Sequence, residues 1–348
     1  MLRMLAESPE LFLRDIDPGR GAAILSPMSE DSYRDSTFLD NRSVRAGERD
    51  IVVPVDALIA ILADSDTPAP PIRYIFHIGH CGSTLIARVL GELDQFLSLR
   101  EPPVLMGLSR SYRVLGSPEF GLDRERWQAL FELAVILLSR TWHPEQRALV
   151  KTTSHAGNLI PQLMTRTGDE RALFLYLDLE TYLATMLRSH TRQENRLYAR
   201  DFRVREFAGL ATAQSADFDD YSDAQIAALT WLLHIREFAL ALDQPEILER
   251  SVALTFDEYL ASPQQQLGRI CEFLGTRVST ERLATLLTGP AATTHAKQPD
   301  ARFDASERAR QLDVGRSKSA AEIETGRLWA AEVCGNEPAF AGLRGWLD

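Results

Sequence analysis

An α/β fold, a three-layer sandwich with a central parallel β-sheet, is the class this sequence predicts, on three observations. From Arg73 onward short apolar runs alternate with helical patterns, the rhythm of βα units with helices on both faces of a sheet. Residues 74–90, YIFHIGHCGSTLIARVL, pass from a β-like apolar segment through the turn Gly79-His80-Cys81-Gly82-Ser83-Thr84 into an amphipathic helix. And 348 residues with 45% hydrophobic and 25% charged content suffice for one large α/β core or two smaller ones.

The elements follow in order. Residues 1–70 read as turn-rich and mixed, with FLDNRS at 38–43, a helix at 55–64 and the break DSDTPAPP at 64–71, whose composition is that of a linker. Strands are expected at RYIFHI (73–78), FLSL (96–99), ALVK (148–151), RALFLYL (171–177) and SVALTF (251–256). Helices are expected from Ser83, near 124–140, near 156–166, from about 179 and over 223–242. In DEYLASPQQQLGRICEFLG the pair Ser262-Pro263 starts a helix and Gly275 ends it, as capping preferences require. Residues 290–319 read as a long, locally charged loop, and 320–348 as two closing helices. The chain thus divides into an N-terminal extension packing on the core (1–70), an α/β domain (71–290) and a C-terminal part of the same domain (291–348). The tryptophans at 127, 142, 231, 329 and 346 fall at apolar periodic positions and are expected in the core.

The net charge of −11 argues against a broad nucleic-acid or membrane-binding face, because affinity for polyanions comes from clustered Lys and Arg. Three scattered cysteines, Cys81, Cys271 and Cys334, are too few for a disulfide framework or a zinc site, so no metal and a reducing compartment are expected. The start MLRMLAESPELFLRD places acids where a signal peptide needs an apolar stretch, and no apolar run approaches spanning length, so a cytoplasmic protein is expected.

A strand that ends in a glycine turn and feeds a helix points backbone N–H groups and the positive end of the helix dipole at one spot. An anion belongs there. A Walker A loop would carry a lysine after its last glycine to reach the terminal phosphates of ATP; here Gly82 is followed by Ser83 and Thr84, which disfavours a nucleoside triphosphate kinase. The short G-x-x-G-S-T form resembles the 5′-phosphosulfate loop of the sulfotransferase family, although a tight turn that merely needs glycines is the plainer alternative.

Three further stretches carry the resemblance. The segment 149–187, LVKTTSHAGNLIPQLMTRTGDERALFLYLDLETYLATML, is similar to the family's K-[ST]-P-x-H, helix, strand and R-D-P-x-D-x-x-x-S sequence. The segment 254–275, LTFDEYLASPQQQLGRICEFLG, is similar to its L-x-Y-E-D-L-x-x-D-P, helix, F-L-G stretch. Arg100-Glu101-Pro102 stands about twenty residues past the loop, where tyrosyl-protein-type and related bacterial sulfotransferases have a catalytic glutamate. The likeness covers about residues 73–275, with a weaker match of HAKQPDARFD (295–304) to the nucleotide-covering loop.

The resemblance implies a P-loop NTPase-like (sulfotransferase) fold, and transfer of a sulfuryl group from 3′-phosphoadenosine-5′-phosphosulfate to a hydroxyl or amine, leaving 3′-phosphoadenosine 5′-phosphate. It assigns the loop Gly79, His80, Cys81, Gly82, Ser83 and Thr84 to the phosphosulfate, Glu101 to proton acceptance from the acceptor, Thr185 to the 3′-phosphate and Lys151 to the neighbourhood of the sulfuryl group or the sheet edge. His80 aligns with the family's loop cation, and its reference pKa of about 6.5 makes it mostly neutral at pH 7 unless an anion raises that value. Leu177 aligns with the arginine that clamps the 3′-phosphate. Arg188, Arg192, Arg196 and Arg200 recur every fourth residue, so a continuing helix would stack them as a stripe, with Arg188 replacing the missing arginine and the distal members attracting an anionic acceptor; a solvated, ion-paired face is the competing reading.

Cys81, at a helix N-terminus, is expected to have a lowered pKa. His77 alternates with apolar strand neighbours and reads as a core or supporting histidine, His155 as either a family position or a helix cap, and His295 and Lys297 as either covering the nucleotide or, more simply, part of a flexible solvated loop. The expected partners are a small-molecule or carbohydrate acceptor, with a homodimer left open. Two rival functions are a catalytically inactive relative that keeps nucleotide or partner binding, and a P-loop transferase using another phosphorylated donor.

Overall fold

The computed structural model describes residues 8–40, 50–63, 69–116, 122–202, 218–294 and 302–347. Its first element is one the sequence pattern did not disclose. Strands β1 (Leu11–Asp17), β2 (Ala22–Pro27) and β3 (Ile51–Pro54) form an antiparallel sheet in that order. The register slips between Leu13 and Asp15 at an irregularity in β1, which breaks the period-2 signal that would have marked these short strands.

All five apolar runs form strands: β4 (Arg73–His77), β5 (Phe96–Arg100), β6 (Arg147–Lys151), β7 (Arg171–Tyr176) and β8 (Ser251–Thr255). They make one sheet in order β5-β6-β4-β7-β8, every pairing parallel. β4 and β5 are buried at every position, so both of their faces are covered by packed layers and the α/β class holds. The chain goes out from β4 to β5, returns through β6, and then crosses to β7 and β8 on the far side. Such a reversal opens a crevice beyond the carboxyl ends of the strands.

The helices used below are α1 (Ser83–Leu90), α2 (Pro103–Arg113), α3 (Arg124–Leu138), α4 (Leu179–Met186), α5 (Ser189–Phe202), α6 (Asp223–Leu242), α7 (Phe256–Ala261), α8 (Pro263–Phe273), α9 (Ala305–Lys318) and α10 (Ala320–Asn336). Their starts obey local chemistry: Asp123 and Asp178 accept from the N–H groups of Arg126 and Thr181, and Ser222 with Gln225 and Thr255 with Glu258 form reciprocal capping boxes. α8 begins at Pro263 as expected. The pattern near 156–166 resolves into a 3₁₀ turn, Ser154–Leu159, and a short helix, Ile160–Met164.

Two expectations are corrected. Residues 290–319 are not one loop, because Pro290–Thr293 and α9 are helical; only Leu312 of α9 is buried, so no apolar stripe announced it. The basic run 188–200 is not one helix with the segment before it, because α4 ends at Met186 and α5 begins at Ser189. After α10 a 3₁₀ run over Pro338–Trp346 closes the chain. Trp127, Trp231 and Trp329 are core, while Trp142 and Trp346 pack half-buried against it. Among the described residues one helix, α6, is long and apolar enough to cross a membrane, and Trp231, Leu232 and Ile235 at its centre are wholly buried inside the molecule.

Candidate active site

The turn after β4 is built from left-handed backbone: Gly79 at φ 83°, His80 at φ 53° and Gly82 at φ 73°. Gly82 caps α1 without any side-chain hydrogen bond, leaving the first-turn N–H groups for a ligand. A side chain at Gly82 is excluded twice, by its φ and because a Cβ would overlap the Phe256 ring. That ring, 2% exposed, stacks on Tyr259 and lies 4.9 Å from the Arg308 guanidinium. Phe256 opens α7 immediately after β8, so the far edge of the sheet seats the turn.

The turn borders a cleft of about 660 Å³ that also reaches Glu101, Lys151, Thr185, Arg188 and Arg308. Gly79, His80, Gly82, Ser83 and Thr84 line it. Cys81 does not fit its expected role. Its side chain is wholly buried, donates to the Leu175 carbonyl at 3.4 Å, and has its pKa raised by that burial rather than lowered by the helix end.

Three parallel strand ends bring the polar centre together. Lys151 ends β6 directly opposite Arg100 of β5, and the Glu101 N–H donates to the Lys151 carbonyl at 2.7 Å. Glu101 is held at φ 58°; it and His80 are the two non-glycine residues with positive φ among the described residues. Such conformations cost on the order of 1–3 kcal/mol and persist where surrounding structure enforces them. The Lys151 side chain, 0% exposed, donates to the Glu101 carboxylate, whose side chain is 18% exposed. On its other side the Lys151 Nζ lies 2.9 Å from the His77 Nε2, with the Phe38 ring 5.8 Å away. A buried ammonium therefore stands behind a carboxylate that faces the cleft.

Burial, and then the Lys151 charge, push the His77 pKa down to about 3 against the opposing pull of Glu101. A histidine depressed in the folded state contributes stability above its unfolded pKa of about 6.5, and that contribution is lost as pH falls from there toward 3. The expected result is a loss of a few kcal/mol over this window that His77→Asn largely lacks. Thermal unfolding of both proteins between pH 8 and pH 4 measures it.

Thr185 edges the cleft, its hydroxyl donating to the Thr181 carbonyl at 2.8 Å. Arg188 sits in the break between α4 and α5, exposed, with its guanidinium 3.0 Å from the Gln311 Oε1 of α9. The rest of the stripe is ion-paired: Arg192 with Asp223 and Glu322 at 3.1 and 2.8 Å, Arg196 with Asp223 at 2.7 Å, and Arg200 with Asp219. It holds α5 to α6 and α10, which corrects the idea of an acceptor-attracting stripe. Leu177 is 0% exposed, so no clamp forms there. His155 is not a cap; it stacks on Tyr198 at 3.8 Å and lines the cleft. His295 and Lys297 lie outside the described residues. Sequence reasoning passed over Phe256 and Arg308, whose meeting depends on α9, and undervalued His77. Among the described residues no group of three or more His, Cys, Asp or Glu is placed to hold a metal ion.

No family model matches the chain, and no curated protein matches it. Solved structures do. The chain is similar to sulfotransferases of known structure. The sulfotransferase domain from the curacin biosynthetic pathway is 15% identical, with 73% of this chain and 99% of that one covered and a TM-score of 0.43. Sulfotransferase STF1 from Mycobacterium tuberculosis is 15% identical over 84% of this chain and 93% of its own, at a TM-score of 0.43. Retinol dehydratase in complex with androsterone and the inactive cofactor PAP is 16% identical over 74% and 82%, at 0.35. Identity this low and superposition this loose leave donor and acceptor to be argued from the residues themselves.

Proposed function

We propose that this protein transfers a sulfuryl group from 3′-phosphoadenosine-5′-phosphosulfate to a hydroxyl or amine of a small-molecule or carbohydrate acceptor. The observation that carries the reading is the Glu101 carboxylate, held by buried Lys151, on the same cleft as the left-handed glycine turn. The residues fit the donor. The turn lacks the Walker lysine and is kept free of a side chain at Gly82, so main-chain N–H groups with the Ser83 and Thr84 hydroxyls form the phosphosulfate cradle. Thr185 and Arg188 stand at the cleft edge for the 3′-phosphate. When bound, the donor supplies an electrophilic sulfur and a phosphate leaving group.

The chain's part is electrostatic and acid–base. Donors fixed before reaction at the turn stabilise charge that grows on the departing oxygen. Glu101 takes the proton of the attacking hydroxyl or amine. Lys151 keeps that carboxylate in place and would add positive charge to the floor of the cleft. The cytoplasmic compartment and the three-part division of the chain belong to the same proposal.

A binding-only relative is favoured by one observation, the buried Leu177 where a clamping arginine is expected. Transfer of labelled sulfuryl by the wild-type protein separates an enzyme from a binding-only relative, and calorimetric titration with 3′-phosphoadenosine 5′-phosphate and with ATP tests the donor. Micromolar binding of the first and none of the second is the expected outcome; the reverse would sink the donor assignment. Arg188→Ala should weaken the nucleotide by about tenfold or more, the worth of one charge-assisted hydrogen bond of about 1.5–3 kcal/mol.

A further inference from the structure

His77 is shared between the two halves of the site. Its Nδ1 lies 3.0 Å from the Gly79 N–H, which donates to it, and its Nε2 lies 2.9 Å from the Thr152 carbonyl and 2.9 Å from the Lys151 Nζ. A backbone N–H can only donate and a carbonyl can only accept, so the neutral ring must leave Nδ1 bare and carry its hydrogen on Nε2. With that hydrogen on the Thr152 carbonyl, Nε2 has no lone pair to offer Lys151. The ammonium is pressed against a donor on this side and directs its protons to Glu101, with which it pairs.

We propose that His77 is a positioning residue with two separable tasks: Nδ1 holds the phosphate turn through Gly79, and the Nε2 edge aims the Lys151 ammonium at Glu101. The first task governs nucleotide affinity and the second the reactivity of the base. The titratable groups that face the ring are Lys151 at the end of β6, Glu101 after β5 and His80 of the turn itself. Gly79 therefore contributes its backbone shape to the cradle, its own N–H being turned inward. This proposal rests on the sulfotransferase reading for its kinetic consequences but not for its geometry.

Two amide substitutions separate the tasks, because Asn places an oxygen near the Nδ1 position whereas Gln places an amide nitrogen near Nε2. His77→Asn should weaken 3′-phosphoadenosine 5′-phosphate by less than about threefold while cutting kcat and moving the acid limb of its pH profile. His77→Gln should weaken the nucleotide by about tenfold and cut kcat less than Asn does. Equal losses of affinity and kcat in both variants would mean a packing role and overturn the proposal. Long-range ¹⁵N–¹H NMR of the wild-type protein without ligand provides the independent check: the Nε2–H tautomer, with no titration down to pH 5, is expected. An Nδ1–H ring, or one that titrates near pH 6.5, would overturn it. If the wild type binds no such nucleotide, the sulfotransferase reading fails, and the tautomer result still decides this one.

Discussion

Glu101→Gln is expected to lower the rate of the proposed sulfuryl transfer by about 10²–10⁴-fold, the usual worth of a positioned general base, and to leave affinity for 3′-phosphoadenosine 5′-phosphate within a few-fold of wild type. The amide is isosteric and keeps an oxygen for the Lys151 ammonium, so the cleft keeps its shape, but it cannot take a proton from an attacking hydroxyl. Glu101→Ala should do more harm to folding than to binding. It takes the paired carboxylate from an ammonium that is 0% exposed, and breaking one side of a buried pair costs about 3–5 kcal/mol. Transfer of labelled sulfuryl to a panel of hydroxyl and amine acceptors, run beside calorimetry and thermal unfolding, separates these effects. Unchanged transfer in Glu101→Gln would remove the carboxylate from the chemistry.

Gly82→Ala is the second large effect, and its cause is local. At φ 73° a side chain costs about 1–2 kcal/mol, and the new methyl must displace the Phe256 ring. That ring has little room to give, packed beside Tyr259, Phe303 and Arg308, so overpacking adds about 1–3 kcal/mol. A total of about 2–5 kcal/mol is expected, together with loss of nucleotide binding, because the turn must shift to admit the methyl. Combining Gly82→Ala with Phe256→Leu should restore the overpacking part and leave the backbone part, a coupling that denaturant unfolding of the four proteins would read. Full additivity of the two substitutions would show that the ring does not seat the turn.

The parts legible in the sequence were those carried by local pattern. Apolar runs bounded by turns gave all five parallel strands, and the glycine spacing gave the turn after β4, because both signals lie within a few consecutive residues. The polar centre was legible only in pieces. Glu101 and Lys151 stood out as charges at the ends of apolar runs, but their meeting depends on the register that sets Arg100 against Lys151, and no short window contains that. His77 looked like core because it is core, 5% exposed; its importance lies in which atoms its two nitrogens face. The arginine spacing suggested a stripe since each residue lay four from the next, yet Leu187 caps α4, and the partners that neutralise Arg192 and Arg196 come from α6 and α10. The strained backbone at His80 and Glu101 left little compositional trace, since histidine takes φ > 0 far less often than glycine and glutamate seldom does.

The small N-terminal sheet and its neighbours reach further into the chemistry than their place in the chain suggests. Arg100, one residue before the proposed base, is 3% exposed and spends its guanidinium on the carbonyls of Tyr33, Arg34 and Ser36, while the Leu39 N–H donates to the Arg100 carbonyl at 2.7 Å. Phe38 faces the buried ammonium. A protein trimmed to begin at residue 70 would keep every parallel strand, but water would reach the lysine, and the strand end that carries Glu101 would lose its anchor. Shortened versions made for crystallisation or display would then carry their defect at the floor of the cleft and not at its mouth.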